Sequence, residues 1–563
     1  SVAADRNVPM AKILKRPWEW IAVPAQARHP KIARPGELYA PARRNSPGIE
    51  FGHAASLDAL RHGAATALAG PQQAAPLIAG QRGAGIARAV LSPIDASVVG
   101  QVVEGDEVTA KAAVTAAVAG VASWSGRPVA ERAALLERAA EALESNRDRL
   151  IALLQTEGGK TLDDALAEWR EAVDYCRYYA AQARRTLIPE AMPGPTGETN
   201  ELRYRGRGVF VCISPWNFPL AIFLGQVAAA LVAGNSVVAK PAEQTLLIAD
   251  LAVTLLHEAG VAPEALHLVP GDGATGAALV ADPRIAGVAF TGSTAVGHAI
   301  NRALAARDGP IAPLIAETGG INAMIVDATA LPEQVTDDVV TSVFRSAGQR
   351  CSALRLLCVQ DDVADRLIAM IAGAARALQI GDPRDPATHV GPVIDAEAKT
   401  RLDRWLADME KAGRVVFRAD RHVSLPAPGL YVPPAIVALD RARDLTEEVF
   451  GPILHVVRFR PDRLDALLDE IAGNGTALTL GIHSRIDNRV AHVVARMTNG
   501  NVYVNRSMIG AVVGTQPFGG SGLSGTGPKA GGPNYLRRFA TEQTFTVNSA
   551  AAGGNATLLA VDD

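Results

Sequence analysis

Between residues 208 and 292, short apolar runs alternate with helix-length segments: GVFVCIS, an Ala-rich stretch, NSVVAK, a second helical stretch, ALHLVP, a third, then GVAFTG. Continuously apolar strands separated by helices are the pattern of βαβ units, a parallel sheet covered on both faces. A second α/β region follows from about 320 to 500. Upstream, from about 108 to 185, the periodicity is helical: Leu136, Ala139, Ala140 and Leu143 recur at spacings of three and four, as do Leu162, Leu166, Trp169, Val173 and Cys176. Thr161 followed by Asp164 reads as a helix start, a capping box with Asp where Glu is usual. Residues 1 to about 60 are rich in Pro, Arg and Ala, lack this periodicity, and read as a linker or arm. Two polar strand-like runs, ELRYRGRG after Pro-Gly-Pro at 193–195 and TFTV in the tail from 541, are placed to pair as an outlying sheet.

Composition narrows the partners. At roughly 100–200 residues per domain, 563 residues make two to four domains. Lys+Arg is 55 against Asp+Glu 58, a net charge of −3, so no basic surplus carries affinity for nucleic acid. The longest apolar stretch, 220–234, contains Gln226 and is too short to span a bilayer, and the N-terminal stretch has no signal-like apolar run. Four cysteines make no disulfide framework and suit a reducing compartment. With no HExxH and no CxxC, no metal is expected.

Six segments carry candidate chemistry. Glycines 271, 273 and 276 match GxGxxG after a strand, but no acid follows about 20 positions on to take ribose hydroxyls, so the match is equally a plain strand-to-helix turn. Lys240 and Glu243 sit just past a strand end, where open α/β sheets bind ligands; the same residues also read as a helix start with Pro241 in its first turn. Gly292, Ser293 and Gly297 follow another strand, where a helix N-terminus offers N–H groups to phosphate. Glu317 ends an apolar run before two glycines, a general-base position or one half of a buried ion pair. Asn217 follows GVFVCIS as an oxyanion donor or a turn residue. Among the cysteines, 176, 212 and 358 lie in apolar runs and read as packed thiols. Cys351 stands in a polar turn after Arg350, a cation expected to favour its thiolate.

Together the motifs SPWNFP (214–219), AKPAEQT (239–245), FTGSTAVG (290–297), ETGG (317–320), GQRCSA (348–353), EEVFGP (447–452) and PFGGSGLSG (517–525) resemble the aldehyde dehydrogenase superfamily from about residue 70 to the C-terminus. Ile321-Asn322 after ETGG and the loop IGAVVGTQPFGG are similar to its glutamate-semialdehyde (1-pyrroline-5-carboxylate) dehydrogenase branch, as found in the C-terminal half of proline utilization A.

The resemblance implies an α/β fold: a Rossmann-type NAD-binding domain (61–186 and 208–317), a catalytic α/β domain (318–540, its end returning to the first), and a β-flap with tail (187–207 and 541–563) that mediates oligomerisation, after the 1–60 arm. It implies Cys351 as nucleophile, Glu317 as base and Asn217 with the Cys351 N–H as oxyanion hole. Ser214, Lys240, Glu243, Gly273, Ser293, Glu448 and Phe450 would hold NAD. Ser352 and the Gly510-Ala511 backbone would anchor the substrate α-carboxylate, although some relatives have Ser at the Ala511 position. Phe218 and Phe518 would enclose its methylenes. The implied reaction is NAD-dependent oxidation of L-glutamate γ-semialdehyde to glutamate in a bacterial cytoplasm, by a homodimer or larger homo-oligomer. The FAD-dependent proline dehydrogenase half is expected in the full-length protein and is absent from these residues. The rival readings are a dehydrogenase of another semialdehyde and a non-catalytic relative.

Overall fold

The structure is a computed structural model that describes residues 7–19, 29, 31–68, 70, 72–420, 425–548 and 551. The chain divides into two units, 1–47 and 48–563. The first holds a one-turn helix, Met10–Ile13, and the 3-10 turns Pro17–Glu19 and Pro35–Glu37. The second opens with the helix Ala54–Thr66, which crosses the boundary drawn at residue 60 and buries Leu60 and Ala64.

The apolar runs form two seven-stranded sheets. In the first, Leu314–Thr318, Ile285–Gly292, Val209–Ile213, Ser236–Lys240 and Leu266–Leu268 lie side by side in parallel, extended by two short antiparallel strands, Leu77–Ile78 and Gln81–Arg82. Alternation along a strand sorts its side chains to opposite faces. Phe210 and Cys212 enter a core shared with the helices Val129–Ser145 and Leu162–Thr186, while Val209 and Val211 enter the core on the other face. The second sheet runs Val415–Arg418, Ala435–Leu439, Ile453–Phe459, Leu356–Gln360, Ala323–Val326, Thr479–His483 and Asn501–Val504, parallel except for its first strand. Its central strands are buried along their whole length, the reason they read as unbroken apolar runs.

The outlying strands do pair. Ala540–Asn548 lies antiparallel to Glu198–Gly206 over nine residues, with Glu190–Met192 on the far side. A second return of the chain shapes the site. Residues 524–526 run back along Leu314–Thr318, with Thr318 N–H donating to Ser524 O (3.0 Å) and Thr526 N–H to Ala316 O (2.9 Å). No helix among the described residues is long and apolar enough to cross a membrane.

Candidate active site

Cys351 ends a loop whose backbone is held from two sides. The loop follows the helix Pro332–Phe344, and its residues Ser346, Ala347 and Gly348 all have positive φ (56°, 52° and 68°). Gly348 is required there: a Cβ would stand 2.1 Å from Gly451 O. The fully buried Arg355 donates to Gly348 O (2.7 Å) and Arg350 O (3.0 Å), fixing the carbonyls on either side of Gln349. Cys351 itself is only partly buried, whereas Cys176, Cys212 and Cys358 are fully so. Burial raises all four thiols, Cys176 and Cys351 to about 12. Arg350 favours the thiolate, as the sequence suggests, yet the net shift is upward. Arg350 does lower the Cys351 value, but burial and the negative charges of Glu448 and Glu317 outweigh it, and its guanidinium is paired with Asp164 at 2.7 Å.

Glu317 lies in the last strand of the first sheet, under the returning 518–526 segment. Gly520 N–H donates to its Oε2 (3.1 Å), and Oε1 is buried without a partner. Gly519 and Gly525 make room for it: a Cβ would come within 2.5 Å of Oε1 at 519 and 3.0 Å of Oε2 at 525. A carboxylate with one hydrogen bond in a dry site is costly to ionise, and burial pushes Glu317 up to about 8.

One cleft collects Cys351, Glu317, Ser352, Gly510, Ala511, Phe218 and Phe518. The Phe218 ring carries Lys160 Nζ at 4.5 Å and the Arg350 guanidinium at 5.2 Å, two cation–π contacts. Phe518 is pinned by paired backbone bonds to Ala530 (2.9 Å each). The Ser352 hydroxyl has no hydrogen-bond partner among the described residues. Asn217 is not on the wall of this cleft but on that of a small neighbouring one with Lys160 and Gln349. Its Nδ2 donates to Gln349 O at 3.1 Å, so one amide hydrogen is tied to the nucleophile loop and the second remains to donate.

The expected cofactor residues lie outside this cleft. Ser214 follows Val209–Ile213, and Ser293 follows Ile285–Gly292; these two strands are neighbours. From Val209–Ile213 the next strand in sequence lies on the opposite side, so the crevice between the neighbours is the topological switch point of the sheet, where such folds bind ligands. Ser214 Oγ is buried and unpartnered there, an open polar group of the kind a dinucleotide would satisfy. Ser293 caps the helix Thr294–Ala305 through Val296 N–H. Lys240 Nζ is 3.7 Å from Glu243 at the end of Ser236–Lys240. The helix does not start at Pro241, as one reading of the sequence has it, but at Leu246, because the buried Glu157 accepts from Leu247 and Ile248 N–H (2.7 and 2.9 Å) and sets the first turn. Gly273 opens a helix whose first N–H groups are already taken by the Asp272 carboxylate, so the GxGxxG match offers no free phosphate cradle. Glu448 pairs with Arg355 (3.1 Å) and faces Gly319, where a Cβ would stand 1.9 Å from its Oε2. Phe450 packs edge-on to Trp216 at 5.6 Å and under Arg355 at 4.8 Å.

Sequence reading missed Glu171, which lines the cleft and is pushed up to about 7 by burial and by Glu168. It also missed Arg355 and the ion pair of Lys160 with Glu168 (2.8 Å). No signal in the residues around Glu168 marks its role.

Three comparisons bear on this geometry. The sequence profile described as the aldehyde dehydrogenase family matches residues 82–545. The bifunctional protein PutA of Klebsiella aerogenes is 47% identical over 551 residues, 95% of this chain but 41% of that protein, so the chain spans less than half the length of that curated relative. Among solved structures, a mutant of proline utilization A from Bradyrhizobium japonicum superposes with a TM-score of 0.87 at 60% identity, covering 98% of this chain and 53% of the other. A 1-pyrroline-5-carboxylate dehydrogenase from Thermus with bound NAD superposes with a TM-score of 0.85 at 32% identity, covering 90% and 99%. With that profile matched over most of its length, the chain belongs to the aldehyde dehydrogenase family.

Proposed function

We propose that the protein oxidises L-glutamate γ-semialdehyde to glutamate with NAD through a thioester on Cys351. The observation that supports this reading is the shared cleft: Cys351, Glu317, Ser352, Gly510 and Ala511 line one cavity together with Phe218 and Phe518. The Cys351 thiol gives its proton up to solvent, and the thiolate Sγ forms a bond to the aldehyde carbon. The oxyanion takes the free Asn217 amide hydrogen and the Cys351 N–H. NAD, when bound, supplies the hydride acceptor; Ser214, Lys240, Glu243, Ser293, Glu448 and Phe450 are the residues to hold it, with Gly273 at the margin. Glu243, accepting from ribose hydroxyls, disfavours a 2′-phosphate. Glu317 then takes a proton from water as its oxygen attacks the thioester carbonyl, and the C–S bond breaks to free glutamate. Appearance of NADH absorbance with glutamate γ-semialdehyde tests the reading; a protein inert to that substrate but active on other aldehydes overturns it. A reducing bacterial cytoplasm, which keeps Cys351 as a thiol, suits this chemistry.

Substrate choice rests on the α-carboxylate. Ser352 O–H and the Gly510 and Ala511 N–H groups are its anchors. A hydrogen bond to a charged group contributes about 1.5–3 kcal/mol, so Ser352→Ala should cost roughly 10- to 150-fold in kcat/KM for glutamate semialdehyde. An uncharged aldehyde of similar length should lose far less, and equal losses on the two would assign Ser352 to the loop alone.

For assembly, the strand Ala540–Asn548 is exposed from Thr541 onward, with Phe545 and Val547 at 42% and 38%. Such an edge is a pairing surface, and a homodimer or higher homo-oligomer built on this flap is part of the proposal. Deleting residues 541–563 should lower the mass seen in light scattering; an unchanged mass removes the flap from the interface. A proline dehydrogenase half carrying FAD is the proposed source of the semialdehyde's precursor in the longer relatives' architecture.

A further inference from the structure

The Asp164 that stands where a capping box calls for Glu does not serve its own helix. Thr161 Oγ1 does accept from Asp164 N–H (3.3 Å), so half of the box forms. The Asp164 carboxylate instead crosses to the nucleophile loop. It accepts from Arg345 Nε (2.6 Å) and Arg350 NH2 (2.7 Å) on Oδ1 and from Ser346 Oγ (2.7 Å) on Oδ2, and Arg350 Nε donates in turn to Ser346 Oγ (2.8 Å). Asp164 is 1% exposed. Every one of its side-chain donors comes from residues 345–350, and these bracket the positions that hold positive φ. Ser346 and Ala347 are not glycines, so a left-handed backbone persists at them only while something outside the loop holds it.

We propose that Asp164 is a positioning residue for catalysis: it clamps the 345–350 loop in its left-handed path and thereby sets the Cys351 thiol and N–H against the substrate. Arg355 grips the same loop by its carbonyls from the opposite side, so the loop is held by side chains on one face and by backbone on the other. The shorter acid suits this role. Glu at this position favours reaching back to the helix's own N-terminus, which would leave the Arg350 guanidinium without its anion and Arg345 with Asp163 alone. The proposal rests on Cys351 as nucleophile.

The test uses Asp164→Asn, an isosteric loss of the charge, in the full chain. The expected result is a fall in kcat of about 100-fold, with the dissociation constant for NAD and the KM for NAD unchanged, because the cofactor residues lie elsewhere. Adding Ala347→Gly, which lets the backbone take φ near 52° without restraint, should restore at least tenfold of the loss. A role confined to starting the helix would show no such rescue. Asp163→Asn is the control: that acid is exposed, pairs among the described residues only with Arg345, and should leave kcat within threefold of wild type. Arg345→Gln keeps the proposal open to refutation should Asp164→Asn not fold, since Arg345 is partly exposed; it should lower kcat about tenfold with little change in thermal midpoint. A folded Asp164→Asn or Arg345→Gln with wild-type kcat overturns the clamp, as does a loss in Asp164→Asn that Ala347→Gly does not relieve. An inactive Cys351→Ala beside an active wild type keeps the nucleophile reading intact in any of these cases.

Discussion

Cys351→Ala should abolish NADH formation, a loss of roughly 10⁴- to 10⁶-fold, while leaving the fold and NAD binding in place. The other cysteines provide the contrast. Cys176 packs in the stripe of Leu162–Thr186, Cys212 in the middle of the first sheet and Cys358 in the second, all without exposure. Replacing any of them by Ala removes a small buried group, with a cost in stability rather than in chemistry. The clean measurement is single-turnover NADH release beside a melting curve for each of the four variants. Equal loss of turnover in a well-folded Cys176→Ala or Cys212→Ala protein would place the nucleophile elsewhere.

Glu317→Gln carries the second large effect. Removing a general base slows its step by about 10²–10⁴-fold, so the variant should release at most one NADH per site in a burst and then stall with substrate held as a thioester, visible as added mass on Cys351. The wild-type rate should rise with pH through about 8, as Glu317 becomes a carboxylate, and that rise should be missing in Glu317→Gln. Stability moves the opposite way. The carboxyl is raised in the folded state, so its neutral form stabilises the fold fully below the unfolded value near 4.5, and that contribution is lost as pH climbs through about 8. Glu317→Gln should therefore match wild type near pH 4 and exceed it above pH 8 by an amount on the order of a few kcal/mol. A thermal midpoint difference that shrinks as pH rises would reverse this assignment.

How much of this was legible in the residues depended on range. The two sheets were readable because buried parallel strands are written as unbroken apolar runs, and Cys351 stood apart as the candidate nucleophile because it alone of the cysteines sits in a polar turn. Contacts between distant segments were not. Nothing local to Glu157 or Glu168 announces that each caps a helix far along the chain, at Leu247 and Leu220 respectively. Arg350 beside Cys351 suggested an activated thiolate, and only the fold reveals that the guanidinium is already held by Asp164. The glycines at 271–276 matched a phosphate-binding pattern, but the capping Asp272 lay in plain sight between two of them.

The return of residues 518–526 over Glu317 has a consequence for how the molecule comes to life on the ribosome. The strand that bears Glu317 is finished some 200 residues before Gly519, Gly520 and Gly525 exist to enclose its carboxylate. At about 5–20 residues per second, that interval is roughly 10–40 s. During it the first sheet can assemble around an acid that is still open to water and has an ordinary affinity for protons. The Glu317 carboxylate is enclosed only when the last part of the chain arrives, so the nascent protein carries its thiol and its acid for many seconds before the two share a finished cleft.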